Sequence, residues 1–151
     1  MLYSEYLAIR PASFCPFCEV SEERKFIVND VAFLTYGVAP YHEHHLLVVP
    51  KKHHVSFMTF GNNEAEKIWD LIRKGAGILL ELGYDNYSVL VREGKNESKS
   101  IEHVHYHIIP NSHIGDMDHD GNRRRIMTEK EIKTITKDIE SAMERLTYKG
   151  L

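Results

Sequence analysis

In the stretch His103-Val104-His105-Tyr106-His107-Ile108-Ile109-Pro110, histidine alternates three times with an apolar or aromatic residue. Strict alternation is the period of a β-strand, and no helix puts residues i, i+2 and i+4 on one side. The run predicts an extended segment with Val104, Tyr106 and Ile108 toward a core. His103, His105 and His107 then share the opposite face with Ile109, their imidazoles about 6 to 7 Å apart along the strand. Pro110 lacks a donor and ends the pairing. Three imidazoles on one face are unfavourable in a core unless each finds a partner. The plain alternative is a polar strand face that happens to be rich in histidine. The sharper reading is a reaction site, because imidazole serves near neutral pH as nucleophile, proton carrier or metal ligand.

The remainder of the chain predicts an antiparallel α+β fold. Short strands are expected over Lys25 to Val28 and Val31 to Tyr36, with Asn29-Asp30 as the hairpin turn between them. A third strand runs from His45 to Val49 and is stopped by Pro50; a fourth runs from Tyr87 to Arg92. Residues 63–82 read as a helix capped by Asn62 or Asn63, with Ile68, Leu71, Ile72, Ile78, Leu79 and Leu82 on its apolar face and Gly83 as its stop. Gly75 and Gly77 are poor helix formers whose presence suits a strand passing close by. Residues 1–13 read as an irregular arm. Thr128 and Glu131 form a capping box that opens a last helix over residues 128–147. Strands, helix, strands, helix, with no βαβ series, argue for one α+β domain over the 151 residues.

Net charge is −3 and 42% of residues are apolar, so nothing in the composition points to polymeric nucleic acid or a membrane surface. No apolar run approaches the ~20 residues that span a bilayer, and the first ten residues lack a signal-peptide layout. The expectation is a cytoplasmic protein. Cys15 and Cys18, three positions apart, cannot staple a fold. They read as metal ligands, as a redox pair, or as small buried hydrophobes. A redox pair wants a helix directly after it; here Glu19 to Lys25 is short and polar and strands follow.

The alternating histidine run closing on two hydrophobics resembles the signature of the histidine-triad (HIT) superfamily. His45-Leu46-Leu47-Val48-Val49-Pro50-Lys51-Lys52-His53 is similar to that family's second signature, and Cys15-Pro16-Phe17-Cys18 looks like the zinc-binding start of many bacterial members. The resemblance implies a five-stranded antiparallel sheet, often joined across a homodimer into ten strands. It implies a nucleotide hydrolase or nucleotidyltransferase. The nucleophile is the middle histidine, His105, which attacks the α-phosphorus of a nucleotide ester, anhydride or phosphoramidate and forms a nucleotidyl–histidine intermediate. By the same resemblance His107 and His45 contact the non-bridging oxygens and Ser100 donates to the leaving group. The resemblance also implies that Cys15, Cys18, His53 and His103 hold structural zinc, with His54 the rival to His53.

Departures from the family's pattern fall in the nucleoside pocket. Ser98-Lys99 stand where many members have Gly-Gln, and Lys99 offers phosphate a point charge without planar geometry. Gly37 stands where an Asp or Asn commonly grips the ribose hydroxyls, and Arg92 where Asn or Gln is usual. Lys99, Arg92 and Gly37 are therefore the candidate substrate-binding positions. Two other readings stay open: a metal-dependent hydrolase that uses the triad as ligands, and a binding module without catalysis. Asp116 to Gly121 matches half of a calcium loop but places Met127 where a bidentate Glu is needed. Arg123-Arg124-Arg125 reads as a solvated run or as a clamp on distal phosphates.

Overall fold

The computed structural model describes residues 2–93, 101–112, 128, 130–132, 134 and 138. Seven elements position the site: α1 (Tyr3–Ala8), β1 (Ile27–Val28), β2 (Ala32–Tyr36), β3 (Leu46–Pro50), α2 (Asn62–Glu81), β4 (Tyr87–Val91) and β5 (Tyr106–Pro110). The strands form one sheet in the order β1-β2-β3-β5-β4, antiparallel throughout. Two compact units divide the chain, Met1–Ile114 and Gly115–Leu151; sheet and long helix belong to the first.

Alternation sorts the strand residues into two faces. Ala32, Leu34, Leu46, Val48 and Ile108 form one cluster with Ile68, Leu71, Ile72 and Leu79 of α2. Each such Leu or Ile, once buried, stabilises the fold by ~1.5–3 kcal/mol. Phe33, Leu47 and Val49 point the other way and pack with Val20 and, at the margin, Phe17. Leu47 pairs with His107 and Leu46 with Ile108, so parity puts His107 on the face turned away from α2. Gly75 is where helix and sheet come closest. A methyl added there would lie 2.5 Å from Ile108 Cδ1 and 3.1 Å from Leu34 Cδ1. At Gly77 nothing lies within 4 Å, so only Gly75 answers to the expected close approach.

The elements depart from the sequence expectations in several places. The triad strand starts at Tyr106, not His103, because His103 and Val104 are tied elsewhere: Val104 N–H donates to His54 O at 2.7 Å. Residues 3–8 are helical rather than irregular; six residues leave no readable period, but Leu2 N–H donates to the Glu5 carboxylate at 2.7 Å and caps the turn. Helix α2 is capped at Gly61, not Asn62 or Asn63, with Glu64 Oε1 accepting the Gly61 N–H at 3.3 Å. Leu82 is exposed and leaves the apolar face. Gly83 stops the helix at φ +96°. Pro50 closes β3 from within, pairing with Ala32. The hairpin turns on Asp30 and Val31, clamped by Asn29 Oδ1, which accepts from Val31 N–H at 2.9 Å and Ala32 N–H at 2.8 Å.

In the second unit Thr128 N–H donates to Glu131 Oε2 at 2.7 Å, and Glu131 N–H to Thr128 Oγ1 at 3.3 Å. Lys130, Glu131, Ile132, Thr134 and Asp138 are helical. The rest of the expected helix, Asp116 to Gly121, and Arg123 to Arg125 lie outside the described residues, as do Lys99 and Ser100.

Candidate functional site

His105 sits one residue ahead of β5. Its Nδ1 lies 2.8 Å from the carbonyl oxygen of His103. A carbonyl can only accept, so Nδ1 carries the proton and Nε2 is the basic nitrogen of the ring. The ring of Phe17, from the Cys15-Pro16-Phe17-Cys18 turn, packs against it with centroids 4.6 Å apart. The tautomer and one face of the nucleophile candidate are thus set by main chain and by an aromatic wall.

His107 and His45 form a second, buried pair, 2.9 Å apart from Nδ1 to Nε2. The Tyr41 N–H donates to His45 Nδ1 at 3.2 Å. His45 Nδ1 is therefore an acceptor, and its proton sits on Nε2, which donates to His107 Nδ1. That leaves the His107 proton on Nε2. Both rings are held neutral. Burial is the largest cause in each: it lowers His45 to about 4, with the charge His105 can carry adding to it. It lowers His107 to about 3, with His105, His45 and Arg92 adding. The two histidines expected to share one job are arranged in series, and His107 alone of the pair keeps a ring N–H for a ligand.

These rings open into one pocket, whose wall includes Gly37, Tyr41, Tyr36, Phe17 and Arg24. Gly37 N–H donates to His45 O at 3.0 Å, and a methyl at Gly37 would meet His45 Nδ1 at 3.4 Å. Arg92 reaches Tyr41, donating to its hydroxyl at 3.1 Å. Phe17, Tyr36, Tyr41 and Arg24 were not legible as site residues. Phe17 alone carried a signal, being inside the cysteine motif, and the other three belong to a single 3-10 turn (Glu22–Arg24), a strand end and a loop with no pattern of their own.

The described residues contain one cluster with metal-ligand geometry. One ligand atom from each of Cys15, Cys18, His53 and His103 falls within 4.8 Å of the others. His103 Nδ1 lies 3.4 Å from Cys15 Sγ and 3.5 Å from Cys18 Sγ; His53 Nδ1 lies 3.3 Å from Cys18 Sγ. A tetrahedral ion with sulfur at ~2.3 Å and nitrogen at ~2.0 Å sets those separations near ~3.5 Å, so the four donors fit such an ion. The far nitrogen of His103, Nε2, donates to Pro50 O at 2.7 Å, which is the outer hydrogen bond a metal-bound imidazole makes. His54 is not in the cluster. It bonds Thr59 Oγ1 at 2.7 Å and Glu64 Oε2 at 2.8 Å, bracing the loop to the start of α2 instead of standing solvated. Cys18 is exposed, which counts against the two cysteines as packing hydrophobes. His105 and His107 take no part in the cluster, so triad-held catalytic metal has no support among the described residues.

A family profile described as the HIT domain matches residues 19–114. The chain is 31% identical over 100 residues to an uncharacterised HIT-like protein of Methanocaldococcus jannaschii, covering 64% of this chain and 78% of the relative. It is 28% identical over 100 residues to an adenosine 5′-monophosphoramidase of Schizosaccharomyces pombe, covering 64% and 73%. A crystal structure of a histidine triad nucleotide-binding protein from Candida albicans has the same fold, with a TM-score of 0.70 at 19% identity over 88% of this chain and 99% of that one.

Proposed function

This chain belongs to the HIT domain family, and we propose that it is a nucleotide hydrolase or nucleotidyltransferase working through a covalent nucleotidyl–His105 intermediate. The observation that carries the reading is the 2.8 Å hydrogen bond from His105 Nδ1 to His103 O. It makes Nε2 a neutral nucleophile that needs no base to deprotonate it. The similarity to a phosphoramidase supports the substrate class.

In the first step the Nε2 lone pair forms a bond to the α-phosphorus, and the bond from phosphorus to the leaving oxygen or nitrogen breaks with its electron pair. The leaving group takes a proton, for which we propose the Ser100 hydroxyl as donor. In the second step water attacks phosphorus, the N–P bond breaks, the electron pair returns to Nε2, and the proton that water loses restores the Ser100 hydroxyl. Phosphoryl transfer depends on positioning and on stabilising the oxygens' charge. His107 Nε2–H donates to a non-bridging oxygen, and His45 acts through His107 by fixing its tautomer. Arg92 and Lys99 add positive charge, and Gly37 leaves room beside His45. Cys15, Cys18, His53 and His103 would hold zinc, which would supply a fixed crosslink and no chemistry. The ring of His103 would be pinned there, and its main-chain carbonyl orients His105.

The order of strands leaves β4 at a sheet edge, with Tyr87 and Val89 exposed on it. An open edge pairs with another strand, which supports a homodimer. No helix among the described residues is long and apolar enough to cross a membrane, consistent with a cytoplasmic protein.

The test is to mix the protein with α-³²P-labelled adenosine 5′-phosphoramidate and quench in alkali, where phosphohistidine survives. Label is expected on the wild type and not on His105→Ala. Turnover without label, or label persisting in the variant, would overturn the mechanism.

A further inference from the structure

The pocket of His105 has no acidic residue among its described lining, and it has one guanidinium, that of Arg24. Arg24 Nε is buried with no hydrogen-bond partner, the one such side-chain atom among the described residues. An unpaired buried donor is unfavourable, and in a folded protein it asks for a missing partner. Arg24 is held in place from both ends. Its carbonyl accepts the Thr35 hydroxyl at 2.7 Å, and its guanidinium lies over the Tyr36 ring, 5.0 Å from the centroid. Tyr36 is followed at once by Gly37, which brings no side chain to the wall beside His45.

Sugar hydroxyls are gripped by carboxylates, whereas a phosphate on the same sugar is met by arginine. A permanently charged planar fork also fits phosphate oxygens two at a time. A pocket that carries a guanidinium with an unpaired Nε, and no acid among its described lining, is therefore mismatched to a free ribose diol and matched to a phosphorylated one. Resting on the nucleotide reading above, we infer that the substrate carries a second phosphate on its ribose, at the 2′ or 3′ oxygen, and that Arg24 is the residue that selects it.

Calorimetric titration with AMP, ADP, adenosine 2′,5′-bisphosphate and adenosine 3′,5′-bisphosphate, and with the guanosine counterparts, tests this. One of the bisphosphates is expected to bind about ten- to a hundred-fold more tightly than the matching monophosphate. In Arg24→Gln the ratio of the two affinities should collapse toward one. In Arg24→Lys, which keeps the charge but loses the fork, it should fall part of the way; that variant carries the test if thermal melting shows the first to be unfolded. Equal affinity for mono- and bisphosphate overturns the inference and leaves the nucleotide reading standing. So does a gain that survives Arg24→Gln, or one shown by ADP instead. Absence of binding by every nucleotide takes down both.

Discussion

The carbonyl of His103 accepts the Nδ1 proton of His105 at 2.8 Å, while the ring of the same His103 faces Cys15 and Cys18 at 3.4 and 3.5 Å. One residue thus joins the cysteine–histidine cluster to the candidate nucleophile through two bonds of its own backbone. Any loosening of the cluster is expected to reach His105 as a change of orientation.

Replacing His105 with alanine removes the proposed nucleophile without touching a cluster ligand. Turnover of a nucleoside phosphoramidate should fall by at least ~10³-fold, about 4 kcal/mol of barrier, with metal content and melting temperature retained. Residual turnover within ten-fold of wild type would exclude His105 as the attacking group.

His45→Ala leaves His107 Nδ1 buried without its donor, worth ~1–3 kcal/mol. If His45 acts through His107 as proposed, the loss falls mainly in kcat, by roughly ten- to a hundred-fold. His45→Gln, which can still donate toward His107, should recover part of it. A pure KM effect in steady-state kinetics would instead give His45 a direct contact with substrate.

For the cluster, elemental analysis of purified protein should find about one zinc ion per chain. Cys18→Ser or prolonged chelation should remove it and lower stability by at least ~2 kcal/mol, with activity falling in parallel as His103 is released. A variant that loses metal yet melts and turns over like wild type would show that the cluster does not position the site.

The buried pair sets a pH dependence of stability. Its pKa values drop on folding from 6.5 to about 4 for His45 and about 3 for His107. Between pH 6.5 and those values the unfolded chain binds more protons than the folded one, so stability rises with pH across that window and is lost as pH falls through it. Chemical denaturation from pH 7.5 to 4.5 should show this slope. In His107→Asn it should be shallower; an unchanged slope would place the protonation elsewhere.

Two glycines of α2 should respond in opposite directions. Gly75→Ala drives a methyl to within 2.5 Å of Ile108 Cδ1, and overpacking a closed core costs ~1–3 kcal/mol, more than the ~1 kcal/mol alanine gains in a helix. Gly77→Ala meets nothing within 4 Å and should be stabilising by up to ~1 kcal/mol. Urea unfolding of the two variants side by side decides it.

The sequence alone determined what depends on short periods and local spacing. Alternation around His107 placed its face, the 3-and-4 spacing of Ile68, Leu71, Ile72 and Leu79 placed α2, and Thr128 and Glu131 announced a helix start. Each is written in residues within a turn or two of one another. Tertiary structure alone decided which residues meet across long separations. It chose His53 over His54 for the cluster, because His54 is drawn to Glu64 on α2. It began β5 after the first two histidines, because His103 and Val104 bond to Pro50 and His54. It set His45 behind His107 rather than beside it, and brought Arg24, Tyr36 and Tyr41 to one pocket wall. Side-chain partnership depends on distance through space, and a linear pattern records that distance only where neighbours in the chain are also neighbours in the fold.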